Sequence, residues 1–320
     1  MQLQLNCISV QFWKSSNRFQ QAAFIKNPQK RSRRSAGRGF FAYFFKLILL
    51  ACCGGGPAWP AILELPSSSV GCAKFLRPYL QEMQKIHQQG KSWYFNQRRW
   101  ADYGQIFGKA WQEQVLALKE DQWWLDSGAG SGAALIDYLA QGHGRTAAIG
   151  YALDKWDRYW VEKAMEEFKG RFDFYLGLLE TPLALWPQIP QATLLTDLYG
   201  PLAYTHAPDL VLQQYAHLLK PHGKAYLLVP AVSLNLRQAD GQGLLSWHDY
   251  FGQGQGWLLL HELTLWPQQD FGRGNGHPLG TLLILERTED AVKLPALLAM
   301  PTHFKFNIPP RRTFKLRAVD

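Results

Sequence analysis

The stretch best suited to chemistry reads Trp123-Trp124-Leu125-Asp126-Ser127-Gly128-Ala129-Gly130-Ser131-Gly132-Ala133-Ala134-Leu135-Ile136. A short apolar run ends in an acid, glycines follow at positions 128, 130 and 132, and a helical apolar pattern begins at once. This order spells a strand, a tight turn and a helix N-terminus. Glycines let a ligand approach bare backbone, and the helix start offers unpaired N–H groups and the positive end of its dipole. A loop that only reverses the chain needs one or two glycines, and this one has three in register. Two more acids, Asp154 and Asp197, close later apolar runs. The histidines at 206, 217, 222 and 261 show no metal-ligand spacing, and His248 lies in a stretch that reads as surface helix.

The elements that must hold these acids alternate. Residues 75–89 carry a helical pattern (Leu76, Tyr79, Leu80, Met83, Ile86) that Gly90 ends, and residues 98–120 carry a second one. Trp93, Tyr94 and Phe95 lie between them, as core or as cover for a ligand. After the glycine turn, Leu135, Ile136 and Leu139 form one helix face. Residues 146–153 read as a second strand ending at Asp154. Trp160, Val161, Ala164, Met165 and Phe168 then mark an amphipathic helix. Residues 172–178 and Ala192–Leu198 read as strands three and four, and Val211, Leu212, Tyr215, Leu218 and Leu219 as a helix face. Lys220-Pro221-His222-Gly223 turns the chain into a fifth strand over 224–229, and residues 244–251 read as helix.

Then the alternation stops. Trp257–Leu265 and Gly280–Arg287 are strand patterns with a Pro/Gly-rich connection and no helix between them. Strands alternating with helices call for a parallel sheet with right-handed crossovers. A final pair joined by a loop alone must be antiparallel. The expectation is seven strands, the first six parallel and the last reversed. Ligands of such open sheets lie beyond the carboxyl ends of the strands. That edge gathers the loops after Asp126, Asp154, Leu178, Asp197 and Val229, with the glycine-rich hairpin loop 266–278 as substrate lid or plain loop.

Charge sorts the chain into a body and a leader. Nine of the 34 basic residues and none of the 25 acidic ones fall before residue 51, so the body holds 25 of each sign. A neutral body argues against nucleic acid as partner, despite the formal net charge of +9. All four cysteines (Cys7, Cys52, Cys53, Cys72) precede residue 75, which excludes a disulfide framework or Cys-rich metal site in the body. The leader joins a basic segment (Lys30 to Arg38) to a short apolar one over residues 40–52, which Lys46 splits. It reads as a signal with a lipoprotein-like site before Cys52, as a transit peptide, or as an extended start ahead of Val70 or Met83. Any membrane contact would run through residues 40–52, too few apolar positions for the roughly 20 a span needs. The body is accordingly expected to be cytoplasmic, with membrane association or organelle targeting through the leader as the alternative. Residues 59–69 read as linker. The parts are a leader and linker over 1–74, N-terminal helices over 75–120, a core over 121–288 and a tail over 289–320 in which Phe304, Phe306 and Ile308 alternate.

Over roughly residues 95–288 the chain resembles the class I S-adenosylmethionine-dependent methyltransferases. The residues that carry this are Asp126-Ser127-Gly128-Ala129-Gly130-Ser131-Gly132, Asp154 closing strand two, Asp197 closing strand four, and Leu218-Leu219-Lys220-Pro221-His222-Gly223 before strand five. The family usually has Leu-x-Pro-Gly-Gly at the last of these, so His222 departs from it. The resemblance implies an α/β fold, a Rossmann-like seven-stranded sheet, mostly parallel with strand 7 antiparallel, with helices on both faces. It also implies S-adenosyl-L-methionine as cofactor. Gly128, Gly130 and Gly132 then make room for the methionyl part, and Asp126 attracts the cationic amino and sulfonium end. Asp154, 22 residues beyond Gly132, accepts both ribose hydroxyls. A charge-assisted hydrogen bond of that kind is worth about 1.5–3 kcal/mol. The acid that commonly meets the adenine amino group is replaced by Leu178, so apolar contact from Leu178 and backbone hydrogen bonds are expected instead, with Leu179 also at the cofactor and Glu180 a weak substitute.

Methyl transfer is an in-line displacement that needs alignment more than acid–base groups. Asp197 and Tyr199, at the methyl-transfer face with Gly200 and Pro201, are the catalytic candidates. Asp197 would also contact the cofactor. This is not the Asn/Asp-Pro-Pro-Tyr of base-amino methyltransferases, which points to a small-molecule or protein acceptor. Competing readings are a nucleotide-dependent oxidoreductase, because residues 128–133 also fit G-x-G-x-x-A, an aminopropyltransferase, and a membrane-tethered cofactor-binding module without catalysis. Neither the acceptor nor the oligomeric state is written in the sequence.

Overall fold

The architecture comes from a computed structural model that describes residues 63–64, 98–142, 144–150, 155–177, 179, 188–229, 234–265, 280–300 and 312–318. The chain divides into two units, Met1–Pro57 and Ala58–Asp320, and all described residues belong to the second. The leader, the helical pattern at 75–89, Trp93 to Phe95, the hairpin loop 266–278 and Phe304 to Ile308 lie outside the described residues.

In chain order the described elements begin with β1 (Leu63–Glu64), α1 (Trp100–Phe107), α2 (Lys109–Leu116), β2 (Trp123–Ser127), α3 (Ala133–Ala140) and β3 (Arg145–Gly150). There follow α4 (Lys155–Glu167), β4 (Phe172–Leu176), β5 (Ala192–Leu198), α5 (Pro201–Tyr204), α6 (Pro208–Leu218) and β6 (Leu219–Val229). The chain ends with β7 (Leu234–Arg237), α7 (Trp247–Gly252), β8 (Trp257–Leu265), β9 (Gly280–Arg287), β10 (Leu297–Ala299) and β11 (Arg312–Leu316).

The main sheet runs β1-β4-β3-β2-β5-β6-β9-β8. Every pairing from β1 to β6 is parallel, and β9 is antiparallel to both neighbours, β6 and β8. The seven expected strands are therefore present, and the seventh slots between the fifth and the sixth. Two cores cover the two faces. On one face, α1 to α4 pack against Trp124, Ala148, Phe174 and Tyr226. On the other, α5, α6 and α7 pack against Leu125, Ile149, Leu195 and Leu227. This is the doubly wound α/β arrangement that near-continuous apolar strands demand, since both faces of a parallel sheet must be covered.

Several local expectations are corrected. The helix expected over 98–120 is two helices, because Gly108 adopts φ +86, a left-handed backbone that a side chain resists, and the chain breaks there. Leu63 and Glu64, read as linker, add an edge strand beside Tyr175 and Leu176 of β4. The turn at 220–223 sits inside β6, where the register with β5 jumps from Leu219 to Lys224 and His222 takes φ +62. Trp160 was placed on the buried face of α4, yet it is 54% exposed beside the equally exposed Tyr159. The tail supplies β10 and β11, which join β7 in a second sheet (β10-β11-β7) whose Phe314 and Leu316 enter the core.

An aromatic cluster fastens α1 and α2 to the sheet. Trp100 and Trp111 have ring centroids 5.1 Å apart, and Trp124 of β2 meets Trp111 edge-on at 5.4 Å and Tyr138 of α3 at 5.5 Å. Such pairs each contribute about 0.5–1.5 kcal/mol beyond the area they bury. The segment that opens α1 is thereby held at the C-terminal edge of the strands.

Candidate functional site

The sheet changes winding direction at β2, with β3 on one side and β5 on the other. Open α/β sheets bind ligands in the crevice at such a switch point. The two loops that flank it here are the glycine turn after β2 and the Tyr199-Gly200 corner after β5.

The glycine turn is left-handed three times, with φ +83 at Gly128, +58 at Gly130 and +74 at Gly132. Gly128 and Ala129 both donate to Ile149 O of β3, which folds the turn back over the sheet edge. A Cβ on Gly132 would meet Phe172 Cζ at 3.1 Å, and one on Gly128 would lie 2.4 Å from Gly200 Cα. All three glycines were expected to make room for a ligand, and two of them, Gly128 and Gly132, also lie close against protein atoms. Part of their function is to let the turn pack against its own protein.

Asp126 is 1% exposed and both carboxylate oxygens are engaged. Thr196 Oγ1 donates to Oδ1 at 2.6 Å, and Tyr103 OH donates to Oδ2 at 2.6 Å. Trp124 Nε1 in turn donates to Thr196 Oγ1 at 2.9 Å, so β2, β5 and α1 share one network. Burial raises the Asp126 pKa to about 7, against the lowering pull of the two hydroxyls. Both oxygens of Asp126, expected to attract a cationic ligand group, accept from hydroxyls of this chain. The carboxylate holds Tyr103, and with it α1, over the turn.

Asp197 is fully buried and equally committed. Its Oδ1 accepts from Gly200 N, and its Oδ2 accepts from Leu202 N at 3.0 Å and from Tyr215 OH at 2.6 Å. Tyr215 lies 3.1 Å from Ser127 Oγ and has one proton, which the carboxylate takes, so Ser127 donates to Tyr215. Burial raises Asp197 to about 6. A carboxylate so enclosed folds the corner that presents Tyr199.

Tyr199 is half-buried and carries φ +56, a conformation a side chain adopts only when its surroundings impose it. Arg98, reaching in from the residue pair before α1, packs against Tyr199. Its Nη1 donates to Leu198 O at 2.8 Å, and its Cζ lies 5.1 Å from the centroid of the Tyr199 ring.

Asp154 and Leu178 lie outside the described residues. Leu179, also expected to contact a ligand, is 1% exposed and its side chain belongs to the core cluster of Ile149 and Tyr175. His248 is exposed on α7. The structure thus brings the glycine turn, Asp126, Asp197 and Tyr199 together. It adds Arg98, Tyr103, Thr196 and Tyr215, none of which the sequence singled out. Of these additions Tyr215 was legible only as part of a helix face, and the other three carry no local signal.

No family model matches the sequence, and no curated protein matches it. Solved structures do. The Burkholderia thailandensis 1,6-didemethyltoxoflavin-N1-methyltransferase, solved with 1,6-didemethyltoxoflavin and S-adenosylhomocysteine, is 14% identical with a TM-score of 0.46, over 70% of this chain and 94% of that one. CalS10 with bound SAM, an amino pentose methyltransferase from Micromonospora echinaspora, is 14% identical with a TM-score of 0.37, over 64% and 97%. At that overlap they add nothing to what the strand order itself shows.

Proposed function

We propose that the protein is an S-adenosylmethionine-dependent methyltransferase of class I that methylates a small-molecule or protein acceptor. One observation carries this reading. A three-glycine left-handed turn follows the central strand β2 at the sheet's switch point, in a sheet whose last strand runs backward between β6 and β8. The reversed hairpin separates it from the oxidoreductase reading of the same glycines.

The residues present fit the cofactor. The turn brings bare backbone to the start of α3, an eight-residue helix whose dipole suits a carboxylate. Asp154 would take the ribose hydroxyls. Bound there, the cofactor supplies an electrophilic methyl group on a sulfonium. The chain's own residues then have to align an acceptor and exclude water. Tyr199 walls the transfer face, with Asp197 and Tyr215 fixing the corner that carries it. In-line displacement rewards such fixed geometry.

The charge-balanced body argues against a nucleic-acid acceptor. Among the described residues no helix is long and apolar enough to cross a membrane. On this reading the body acts in the cytoplasm, and any membrane or organelle address is written in residues 1–74.

The test is a thermal one on the full chain. S-adenosylmethionine or S-adenosylhomocysteine should raise the unfolding temperature, by an amount equivalent to about 2.7 kcal/mol at a hundredfold excess over Kd. Stabilisation by NADPH alone would establish the oxidoreductase reading instead, and by decarboxylated S-adenosylmethionine alone the aminopropyltransferase one. Binding without methyl release to any acceptor pool would favour the non-catalytic module.

A further inference from the structure

Arg98 is half-buried at the C-terminal edge of the sheet, on the β5 side of the switch point. Its guanidinium offers five N–H donors in a rigid fork. Among the described residues it donates to the Leu198 carbonyl and lies over the Tyr199 ring. Arg98 takes no part in the ion pairs that join Arg99 to Asp137, Lys109 to Glu113, and His222 to Glu286 and Glu289. Two buried carboxylates, Asp126 and Asp197, are close enough to feel its charge, as are Tyr103 and Tyr199. Yet the oxygens of both acids are turned to hydroxyls and backbone amides.

A partly desolvated guanidinium held by a carbonyl and an aromatic face, with no carboxylate paired to it among the described residues, is a prepared receptor for an anion. Planar forks of this kind match a carboxylate in two parallel hydrogen bonds. We propose that Arg98 binds a carboxylate of the methyl acceptor and so sets the acceptor's orientation at the Tyr199 corner. The assignment rests on the methyltransferase reading and narrows it to anionic acceptors. The position decides between the two carboxylates that would be present. The cofactor's belongs at the α3 start, in the loop after β2, whereas Arg98 is docked on the end of β5.

The experiment uses the full chain saturated with S-adenosylhomocysteine, with benzoate and benzamide as probes followed by tryptophan fluorescence. Benzoate should bind at least tenfold more tightly than benzamide. Arg98→Ala should abolish that preference, and Arg98→Lys, which keeps the charge and loses the fork, should restore only part of it. Both variants should bind S-adenosylhomocysteine within about twofold of the parent, which also shows that they are folded. The proposal is overturned if benzoate has no advantage over benzamide, or if the advantage survives in Arg98→Ala. It is overturned too if Arg98→Ala weakens S-adenosylhomocysteine tenfold, which would assign Arg98 to the cofactor's own carboxylate. A parent chain that does not bind S-adenosylhomocysteine defeats the underlying reading instead.

Discussion

Gly128 and Gly200 lie backbone against backbone: a Cβ on Gly128 would stand 2.4 Å from Gly200 Cα, and one on Gly200 would stand 2.9 Å from Gly128 Cα. The turn after β2 and the corner after β5 are therefore one unit, and whatever binds at the first is positioned relative to the second.

This contact predicts an asymmetry between two alanine substitutions. Gly200→Ala places its Cβ against Ser127 O at 2.4 Å and Asp197 Oδ1 at 2.8 Å. It should cost about 1–3 kcal/mol by overpacking. Gly128→Ala adds about 1–2 kcal/mol for its left-handed φ of +83. Urea midpoints will rank them, and an unchanged midpoint for Gly200→Ala would show that the loops can part.

Tyr103→Phe removes the hydroxyl from Asp126 Oδ2 without changing the ring's packing in the aromatic cluster. The buried carboxylate loses a donor, so stability should fall by about 1–3 kcal/mol. The Asp126 pKa should rise further, because that hydrogen bond lowers it. Thr196→Val should do the same from the other oxygen, and the double variant should be non-additive, since both hydroxyls serve one acid. Urea unfolding and a carboxyl carbon NMR titration measure the two effects.

Asp126 and Asp197 titrate in the folded state near pH 7 and pH 6, above the roughly 3.9 of an unfolded aspartate. Between those limits the native state holds more protons than the unfolded one. Stability from this source is fully present below about pH 4 and is lost as pH rises through 6 to 7. Asp126→Asn should flatten that slope in a series of denaturant midpoints taken from pH 4 to 8. An unchanged slope would mean that Asp126 does not carry it.

Asp154→Ala should weaken S-adenosylhomocysteine binding about 10- to 100-fold, the worth of one charge-assisted hydrogen bond pair at about 1.5–3 kcal/mol. The melting temperature without ligand should not move. Calorimetry showing the parent affinity would remove Asp154 from the site.

Much of this protein was legible one residue after another. The glycine turn, the acids at strand ends and the alternation of strand and helix are short-range signals, because backbone preference and apolar periodicity act over a few residues. The reversed last strand followed equally, since a loop without a helix cannot carry a parallel crossover. What the side chains at those places do was settled by which strands became neighbours. Only the pairing of β2 with β5 brings Asp126 to Thr196 and Gly128 to Gly200. Only the docking of α1 brings Tyr103 to Asp126, and Arg98 to a carbonyl 100 residues away. Local sequence therefore determined that a glycine turn exists and where its strand ends. Tertiary packing decided that its acids face inward as anchors, and that a guanidinium stands at the open side. Burial and hydrogen-bond partners belong to the fold, and no stretch of sequence contains them.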